Sequence, residues 1–485
     1  MQEKLRNYFD GLVVYKDLRR NAFFSTLGAP SFIRDTLLDS FQDEDGEFDL
    51  EEAREFVAAH LPGKEQWLGI KNRVVYEYER VKILTKIVID IDIASSAITF
   101  SLPNYDLTNK DTIVETDVWE DVKDQLTNGV ETWGTVELGY RPPDPNAKPK
   151  LPGKIKLMSF KSFQPLDVDL EFYKDASRNF TIDEWLDVLL GAIDYNPSGY
   201  RSTTQKRTML ARLLPFVEKN LNLLELAPKG TGKSYVFGRL SKFGCLIDGG
   251  KVTRAQMFYN VSRRQPGYIQ GKDYVALDEI KLARFNDDIE MRSILQTYME
   301  NGQCSVNGNN VTSSAGVVML GNISSERMSE YSSMLDELPP LFKESALLDR
   351  IHGFIPGWDI PYMTDDLKAN GWAMNTEYFC SIMHAMRSDP SYDDLVNSLI
   401  DAPRDAYLRH TRAVRKLACG FLKLFFPYAR ETSDVDKELF TEFCLNPAIA
   451  MRTVILRQAQ YLDRDEYMSK PMPQFILRDA EGANG

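Results

Sequence analysis

Cysteine and histidine are scarce in this chain of 485 residues, five of one and four of the other. Cys245, Cys304, Cys380, Cys419 and Cys444 lie far apart with no Cys-x-x-Cys, and His60, His352, His384 and His410 are as scattered. Zinc-site spacing and an even-numbered disulfide framework are thereby excluded, and the odd cysteine count fits free thiols in a reducing compartment. Also missing is any run of about 18 uncharged apolar residues, the length a membrane helix needs. The opening Met1-Gln2-Glu3-Lys4-Leu5-Arg6 lacks the apolar core of a signal peptide. A cytoplasmic protein with no membrane partner is expected. Positive charge is the minority sign. A net charge of −13 argues against a surface that coats nucleic acid throughout, while leaving room for a ring or groove with a basic lining.

What is present is the composition of a globular protein, 43% apolar and 27% charged, in a length that accommodates about two to four domains. Residues 1–75 read as a helical N-terminal region, with apolar residues at helical spacing around Leu5, Phe9 and Leu12 and again from Phe32 to Leu38. Gly28-Ala29-Pro30-Ser31 separates the two, with Ser31 as the expected N-cap. The acidic run Asp43-Glu44-Asp45-Gly46-Glu47 fails as a calcium loop, because placing Gly46 at the sixth position puts Phe41 at the first, where a carboxylate is required.

Residues 76–178 change character. Val81 to Ile93 is rich in β-branched residues and carries Lys82, Lys86, Asp90 and Asp92 on one alternating set of positions. Strand-like pieces follow at Ala97–Leu102, Gly134–Tyr140 and Lys154–Phe160. The expectation is a β-rich module, a candidate barrel and, by fold-level analogy, a candidate for DNA binding. The proline-rich Arg141–Lys150 reads as an extended loop or linker. Thr181-Ile182-Asp183-Glu184 forms a capping box at the start of residues 179–362, where strands and helices alternate as in a parallel sheet. Residues 363–485 read as a helical bundle broken at Pro427 and Pro447, with a frayed tail after Met472.

The most informative stretch is Leu224-Glu225-Leu226-Ala227-Pro228-Lys229-Gly230-Thr231-Gly232-Lys233-Ser234. An apolar strand breaks into a Gly-rich turn and then Gly-Lys-Ser, the form of a Walker A phosphate loop. The loop Pro228-Lys229-Gly230-Thr231-Gly232 would cradle phosphates through the backbone N–H groups from Lys229 onward, with Pro228, which has no N–H, shaping the turn; Lys233 would reach the β- and γ-phosphates, and the Ser234 hydroxyl would ligate Mg²⁺. Ala227 stands where the motif has its first glycine. From Arg201 to Lys272 there are 14 Lys and Arg against three acids, a local balance of +11. That block suits a polyphosphate, a nucleic acid or an acidic neighbour, or else is a solvated basic face.

The strand-like Asp273-Tyr274-Val275-Ala276-Leu277 ends in Asp278-Glu279, 45 residues beyond Lys233, in the form of a Walker B. Asp278 would hold Mg²⁺ through water and Glu279 would polarise the attacking water. Gly316 to Asn322 is a further buried strand with an uncharged polar tip, and Asn322 fits the γ-phosphate sensor of AAA+ ATPases. Leu347-Leu348-Asp349-Arg350-Ile351 puts Arg350 where these enzymes carry the finger that reaches a neighbouring subunit's nucleotide. The four motifs in this order resemble AAA+ ATPases of the MCM-like branch. The fold class expected is therefore α/β, an AAA+ P-loop core with a helical lid behind a mixed helical and β-rich N-terminal region. Met299–Val306 looks like the start of that branch's hairpin, and Arg415 like its second sensor arginine, with Arg412 the less favoured choice.

A nearer resemblance is to the BrxL-like, Lon-related AAA+ ATPases of BREX phage-defence systems. It rests on Pro215–Asn220, Gly249–Thr253, Phe258-Tyr259-Asn260, Leu348–His352, Ile355–Trp358 and the run from Leu422 to Pro427. It implies an ATP- and Mg²⁺-dependent ring, a hexamer or stacked hexamers, that encircles double-stranded DNA in anti-phage defence alongside other defence proteins. Two departures bear on function. No Ser/Lys dyad motif follows residue 430, so proteolysis is not expected, and the hairpin tip Asn307-Gly308-Asn309-Asn310 carries no positive charge. The zinc module of MCM helicases is also missing. A nucleotide-gated switch that assembles a defence complex without moving along DNA is the alternative. Lys16, Arg19, Arg20, Arg34, Lys71 and Arg73 are candidate phosphate contacts in the N-terminal region.

Overall fold

The computed structural model describes residues 1–17, 23–24, 29–43, 47–92, 96–127, 129–147, 150–262, 265–285, 287–329 and 331–478. Gly28, the acidic positions 44–46, Ile93, Lys148-Pro149 and the arginines at 19 and 20 thus lie outside the described residues. The chain forms two compact units. One comprises residues 1–39, 166–258 and 268–485, and the other residues 40–165 and 259–267.

The second unit is built on five strands: β1 (Val81–Asp92), β2 (Ala97–Ser101), β3 (Thr112–Val114), β4 (Thr132–Arg141) and β5 (Lys154–Ser162). They close into a barrel in the order β1-β2-β3-β5-β4. Its longest strand makes closure possible. Residues 81–87 of β1 pair with β4 and residues 88–92 pair with β2, both antiparallel. The alternation in the sequence is the alternation of the barrel wall: Val81, Ile83, Ile87 and Ile89 are buried, while Lys82, Lys86 and Asp90 face outward or lie at the surface. Val136, Leu138, Leu157 and Phe160 fill the interior from β4 and β5. The stretch Arg141–Lys150 is not an interdomain linker. It belongs to the β4–β5 connection, pinned by reciprocal Asp144–Leu151 backbone hydrogen bonds of 2.9 and 3.0 Å.

The first unit is centred on five parallel strands: β6 (Leu223–Ala227), β7 (Gly244–Ile247), β8 (Tyr274–Leu277), β9 (Gly316–Asn322) and β10 (Gly353–Pro356). Their order is β10-β6-β9-β8-β7. Strands β6, β8, β9 and β10 are buried along almost their whole length and, Glu225 apart, read as apolar runs, the usual signature of buried parallel strands, while β7 is half-buried. The expected capping box is formed: Glu184 N–H donates to Thr181 Oγ1, and Glu184 Oε2 accepts from Thr181 N–H at 2.9 Å, which starts the helix Ile182–Ala192.

Several expectations for the ends of the chain need correction. Ser31 is the first residue of the helix Ser31–Phe41 rather than its cap, and its hydroxyl instead meets the Tyr235 hydroxyl at 2.9 Å. Val13–Asp17 is a strand, antiparallel to Asn370–Met374. Its β-branched and aromatic residues suit that state, but its partner lies more than 350 residues away, beyond the reach of local pattern. Beyond Met472, Ile476–Leu477 pairs with Ile400–Asp401, so the start of the tail is not frayed, and residues 479–485 lie outside the described residues. Lys16 and Arg34 cannot meet DNA phosphates. Both are buried in ion pairs, Lys16 with Asp35 and Asp194 and Arg34 with Asp194. Lys71 is exposed, as is Arg73, which pairs with Glu79.

Among the described residues one helical stretch, Lys437–Leu462, is long and apolar enough to cross a membrane. Here it packs inside the first unit, where buried Gln458 accepts from Met334 N–H at 2.8 Å. Buried Arg452 on the same stretch donates to the carbonyl of Asp349 at 2.9 Å. That region also holds two neutral histidines. His410 Nδ1 accepts from Arg452 Nε at 3.0 Å and His352 Nδ1 accepts from Asn222 N–H at 3.0 Å. Burial pushes His410 down to about 4, and burial with the Lys416 and Arg452 cations pushes His352 well below its ordinary value. The unfolded chain, with histidines titrating near about 6.5, binds more protons in this window. Stability is therefore full above that value and falls as pH drops toward 4. The urea midpoint at pH 5 should lie below that at pH 7.5, and His410→Gln should flatten the slope.

Candidate phosphate and metal site

Strand order brings the polar tips of the sheet together. Because β9 is inserted between β6 and β8, Asn322 at its end is registered against Ala227 of β6, and Leu277 of β8 lies opposite Met319. The loop 228–232 leaves the end of β6 and enters the helix Lys233–Arg239. Gly230 and Gly232 take φ of +81° and +78°, and a Cβ on Gly232 would stand 2.2 Å from the Tyr195 hydroxyl. Glycine is required there both for backbone sign and for space. The alanine in place of the motif's first glycine is also accommodated. A Cβ on Gly357 would stand 2.3 Å from the Ala227 Cβ, so the glycine has moved to the facing chain.

Lys233 is 6% exposed. Its Nζ donates to Asn322 Oδ1 at 3.1 Å and to the Pro228 carbonyl at 3.2 Å. Burial pushes this ammonium below its ordinary value, with Glu225 opposing. A buried lysine satisfied only by neutral acceptors is a site for an anion. Ser234 donates its hydroxyl proton to Asp278 Oδ2 at 2.5 Å. One hydroxyl and one carboxylate side by side form the sparse hard-oxygen donor set suited to Mg²⁺, which keeps waters and phosphate oxygens as its other ligands. Glu279 is exposed just beyond, with φ of +44°, and its N–H donates to Asp278 Oδ1 at 2.8 Å. A non-glycine residue in the left-handed region at a sheet's carboxyl edge is the kind of backbone strain found at working sites.

Beneath the loop lies a support that belongs to no sequence motif. Arg212 and Glu225 are both fully buried, with Arg212 Nη2 at 2.6 Å from Glu225 Oε1. Arg212 Nη1 also donates to the Thr231 carbonyl at 2.8 Å and so holds the phosphate loop from below. The available signal was Glu225 itself, a lone acid inside an apolar strand. Arg212→Met should destabilise the first unit by about 3–5 kcal/mol, because it leaves a buried carboxylate unpaired. Arg212→Met with Glu225→Met should recover much of that loss in urea unfolding.

The arginines expected at the site stand apart from this cluster. Arg350 Nε lies 3.1 Å from Glu300 Oε2, and Arg350 donates to the Ala346 carbonyl. Arg415 donates to the Ile400 carbonyl at 3.1 Å and Arg412 is exposed on the same helix, Leu408–Phe425. Pro228 is buried while Lys229 is exposed on the loop. Downstream, the helix Asp288–Asn301 ends on Gly302, followed by an antiparallel hairpin of Gln303–Val306 and Asn309–Thr312. Its turn residues Asn307 and Gly308 both have positive φ, and Arg254 Nη1 donates to Asn307 Oδ1 at 3.3 Å. The tip that lacks a cation of its own sequence thus has one against it. Part of the basic block is consumed in folding, Lys206 pairing with Asp187, Lys242 with Glu377 and Arg254 with Glu290, while Arg201, Lys219, Lys229 and Lys251 are exposed.

A parallel α/β sheet with this edge belongs to the class of α/β ATPase domains. The chain is a member of the family described as "Lon-like protease BrxL-like, ATPase domain", whose model matches residues 155–472. Residues 7–140 match the family "BREX system Lon protease-like protein BrxL N-terminal". The chain is similar to the Lon-like protease BrxL of Escherichia coli O9:H4 (strain HS), 29% identical over 472 residues, or 96% of this chain and 65% of that protein. It is also 29% identical over 446 residues to the Lon-like protease BrxL of Bacillus cereus (strain H3081.97), covering 90% of this chain and 64% of that one. The chain thus spans just under two thirds of the length of these relatives.

Proposed function

We propose that this chain is an AAA+ ATPase with a helical lid that binds ATP and Mg²⁺ and works as a cytoplasmic hexameric ring, single or stacked, on double-stranded DNA in BREX-type phage defence. The observation that carries the reading is the convergence of Lys233, Ser234, Asn322 and Asp278 at the carboxyl ends of β6, β9 and β8. Lys233 neutralises the β- and γ-phosphates and gives up its contact with Asn322 as they arrive. Asn322 then holds the γ-phosphate. Ser234 and Asp278 hold Mg²⁺, which when bound spreads the charge that develops on the phosphoryl oxygens. Glu279 orients the attacking water and draws off its proton. Arg350 serves the neighbouring subunit's nucleotide, and Arg415 contacts nucleotide only if the lid moves it off the Ile400 carbonyl. Arg254 beside the hairpin tip supplies the cation for a DNA phosphate only if it leaves Glu290.

One observation favours the second reading, a nucleotide-gated switch that assembles a defence complex without translocation. Lys206, Lys242 and Arg254 of the basic block are already paired with acids, so fewer charges remain for a DNA track. ATP turnover with and without duplex DNA at two salt concentrations separates the two. Stimulation by DNA that weakens with salt supports the ring motor, and indifference to DNA supports the switch. Lys233→Ala should abolish turnover and ATP binding in either case. Degradation of casein would reveal the activity that the relatives' names denote.

A further inference from the structure

Beside Gly232 the first unit holds a cavity of about 320 Å³, within the size range of small-ligand sites. Tyr195, Gly232 and Tyr235 line it from the loop side, Asp194 lies at its base, and Ser31 and Arg34 line it from the segment that precedes the barrel. The two sides are joined by a buried cluster of four charges. Arg34 Nη2 is 2.5 Å from Asp194 Oδ1, and Lys16 Nζ is 2.9 Å from the same oxygen and 3.0 Å from Asp35 Oδ2. Tyr235 follows Ser234 directly. Its hydroxyl donates to Asp194 Oδ2 at 2.6 Å and meets the Ser31 hydroxyl at 2.9 Å. The residue next to the Mg²⁺-binding serine is therefore tied to the helix Ser31–Phe41.

Docking of residues 1–39 is close to all-or-none for this cluster. Without Lys16 and Arg34, Asp194 would be a buried carboxylate robbed of its cations, which is strongly unfavourable. The cavity has its outer wall only while that segment is docked.

Resting on the nucleotide reading above, we propose that residues 29–35 are the closing wall of the nucleotide site and take the nucleoside part of the ligand, so that nucleotide binding and docking of the N-terminal segment reinforce each other. Half-buried Tyr235 offers aromatic surface to a base. The Tyr235 hydroxyl is spent on Asp194, Ser31 and Arg34, which leaves a lone pair on the Ser31 hydroxyl and the second Nη1 proton of Arg34 for a base edge or ribose. A phosphate group alone engages the loop and none of these. Linkage makes the effect reciprocal, since whatever factor the docked segment adds to nucleoside affinity, the nucleoside adds to docking. The helix Ser31–Phe41 runs in sequence into the second unit at Ser40, so the docked state is covalently continuous with the barrel-bearing chain.

Amide hydrogen exchange on the whole chain, with ADP and with pyrophosphate as ligands, tests this. ADP should slow exchange by about tenfold both at residues 226–236 and at residues 29–37, a factor within the usual range of coupled sites, whereas pyrophosphate should protect only 226–236. Protection by ADP at 226–236 with none at 29–37 overturns the inference and leaves the nucleotide reading intact. Protection at neither place overturns both. Ser31→Ala should weaken ADP several-fold and leave pyrophosphate binding unchanged. An equal loss for both ligands would overturn the inference.

Discussion

Replacing Glu279 with Gln should slow ATP hydrolysis by a factor of about 10²–10⁴, the usual worth of a positioned base, with ATP affinity changed by less than about threefold. The two halves of the expectation have separate structural grounds. Glutamine keeps the size of the side chain and removes its ability to accept a proton. The groups that would hold phosphate and metal, Lys233, Ser234 and Asp278, make their contacts without the Glu279 side chain, and that residue touches them only through its backbone N–H on Asp278. Phosphate-release kinetics and calorimetry on the same preparation would check both halves. Near-normal turnover would remove Glu279 from the mechanism.

Arg350→Ala should cost more, about 10³–10⁵ in turnover, if its guanidinium stabilises charge on a neighbour's transferring phosphoryl group. Its surroundings suit presentation rather than action within its own subunit. Arg350 leans on Glu300, which also holds Arg409 at 2.9 Å. The preceding Asp349 is fixed by Arg409 at 3.0 Å and by the buried Arg452, so the backbone that carries Arg350 is rigidly placed. A mixing experiment separates the two geometries. Lys233→Ala subunits keep the arginine and lose the phosphate loop, while Arg350→Ala subunits do the reverse. In an equimolar mixed ring about a quarter of the interfaces would pair an intact loop with an intact arginine, and turnover should rise well above that of either variant alone. No recovery would place Arg350 in its own subunit's site or in a purely structural role.

What could be read from sequence was set by locality. The barrel wall was legible at Val81–Asp92 because one buried face imposes a two-residue period. The strands Leu223–Ala227, Tyr274–Leu277 and Gly316–Asn322 were legible because buried strands are short apolar runs, broken here only by Glu225, that stop at the Gly-rich loop, at Asp278-Glu279 and at Asn322. Charge was misleading wherever burial decided its use. Lys16 and Arg34 read as surface cations, yet their partners include Asp194, 178 and 160 residues further along. For the same reason Arg212 stayed hidden beneath the loop, and the hairpin tip read as uncharged although Arg254 rests on it. The strand Val13–Asp17 was obscured by a short length and a remote partner.

That remote partner also sets the order of events on the ribosome. Val13 pairs with Met374, and Lys16 is enclosed by Gly191, Ala192, Asp194 and Thr376. At about 5–20 residues per second, the first strand waits for roughly 20–70 s after its own synthesis before the segment that receives it exists. During that interval the barrel-forming stretch emerges whole and has all of its strands to hand. The amino terminus, first to be made, is among the last parts of the molecule to find its place, and a chain that stops short of residue 370 leaves the strand Val13–Asp17 unpaired and Lys16 without its Thr376 acceptor.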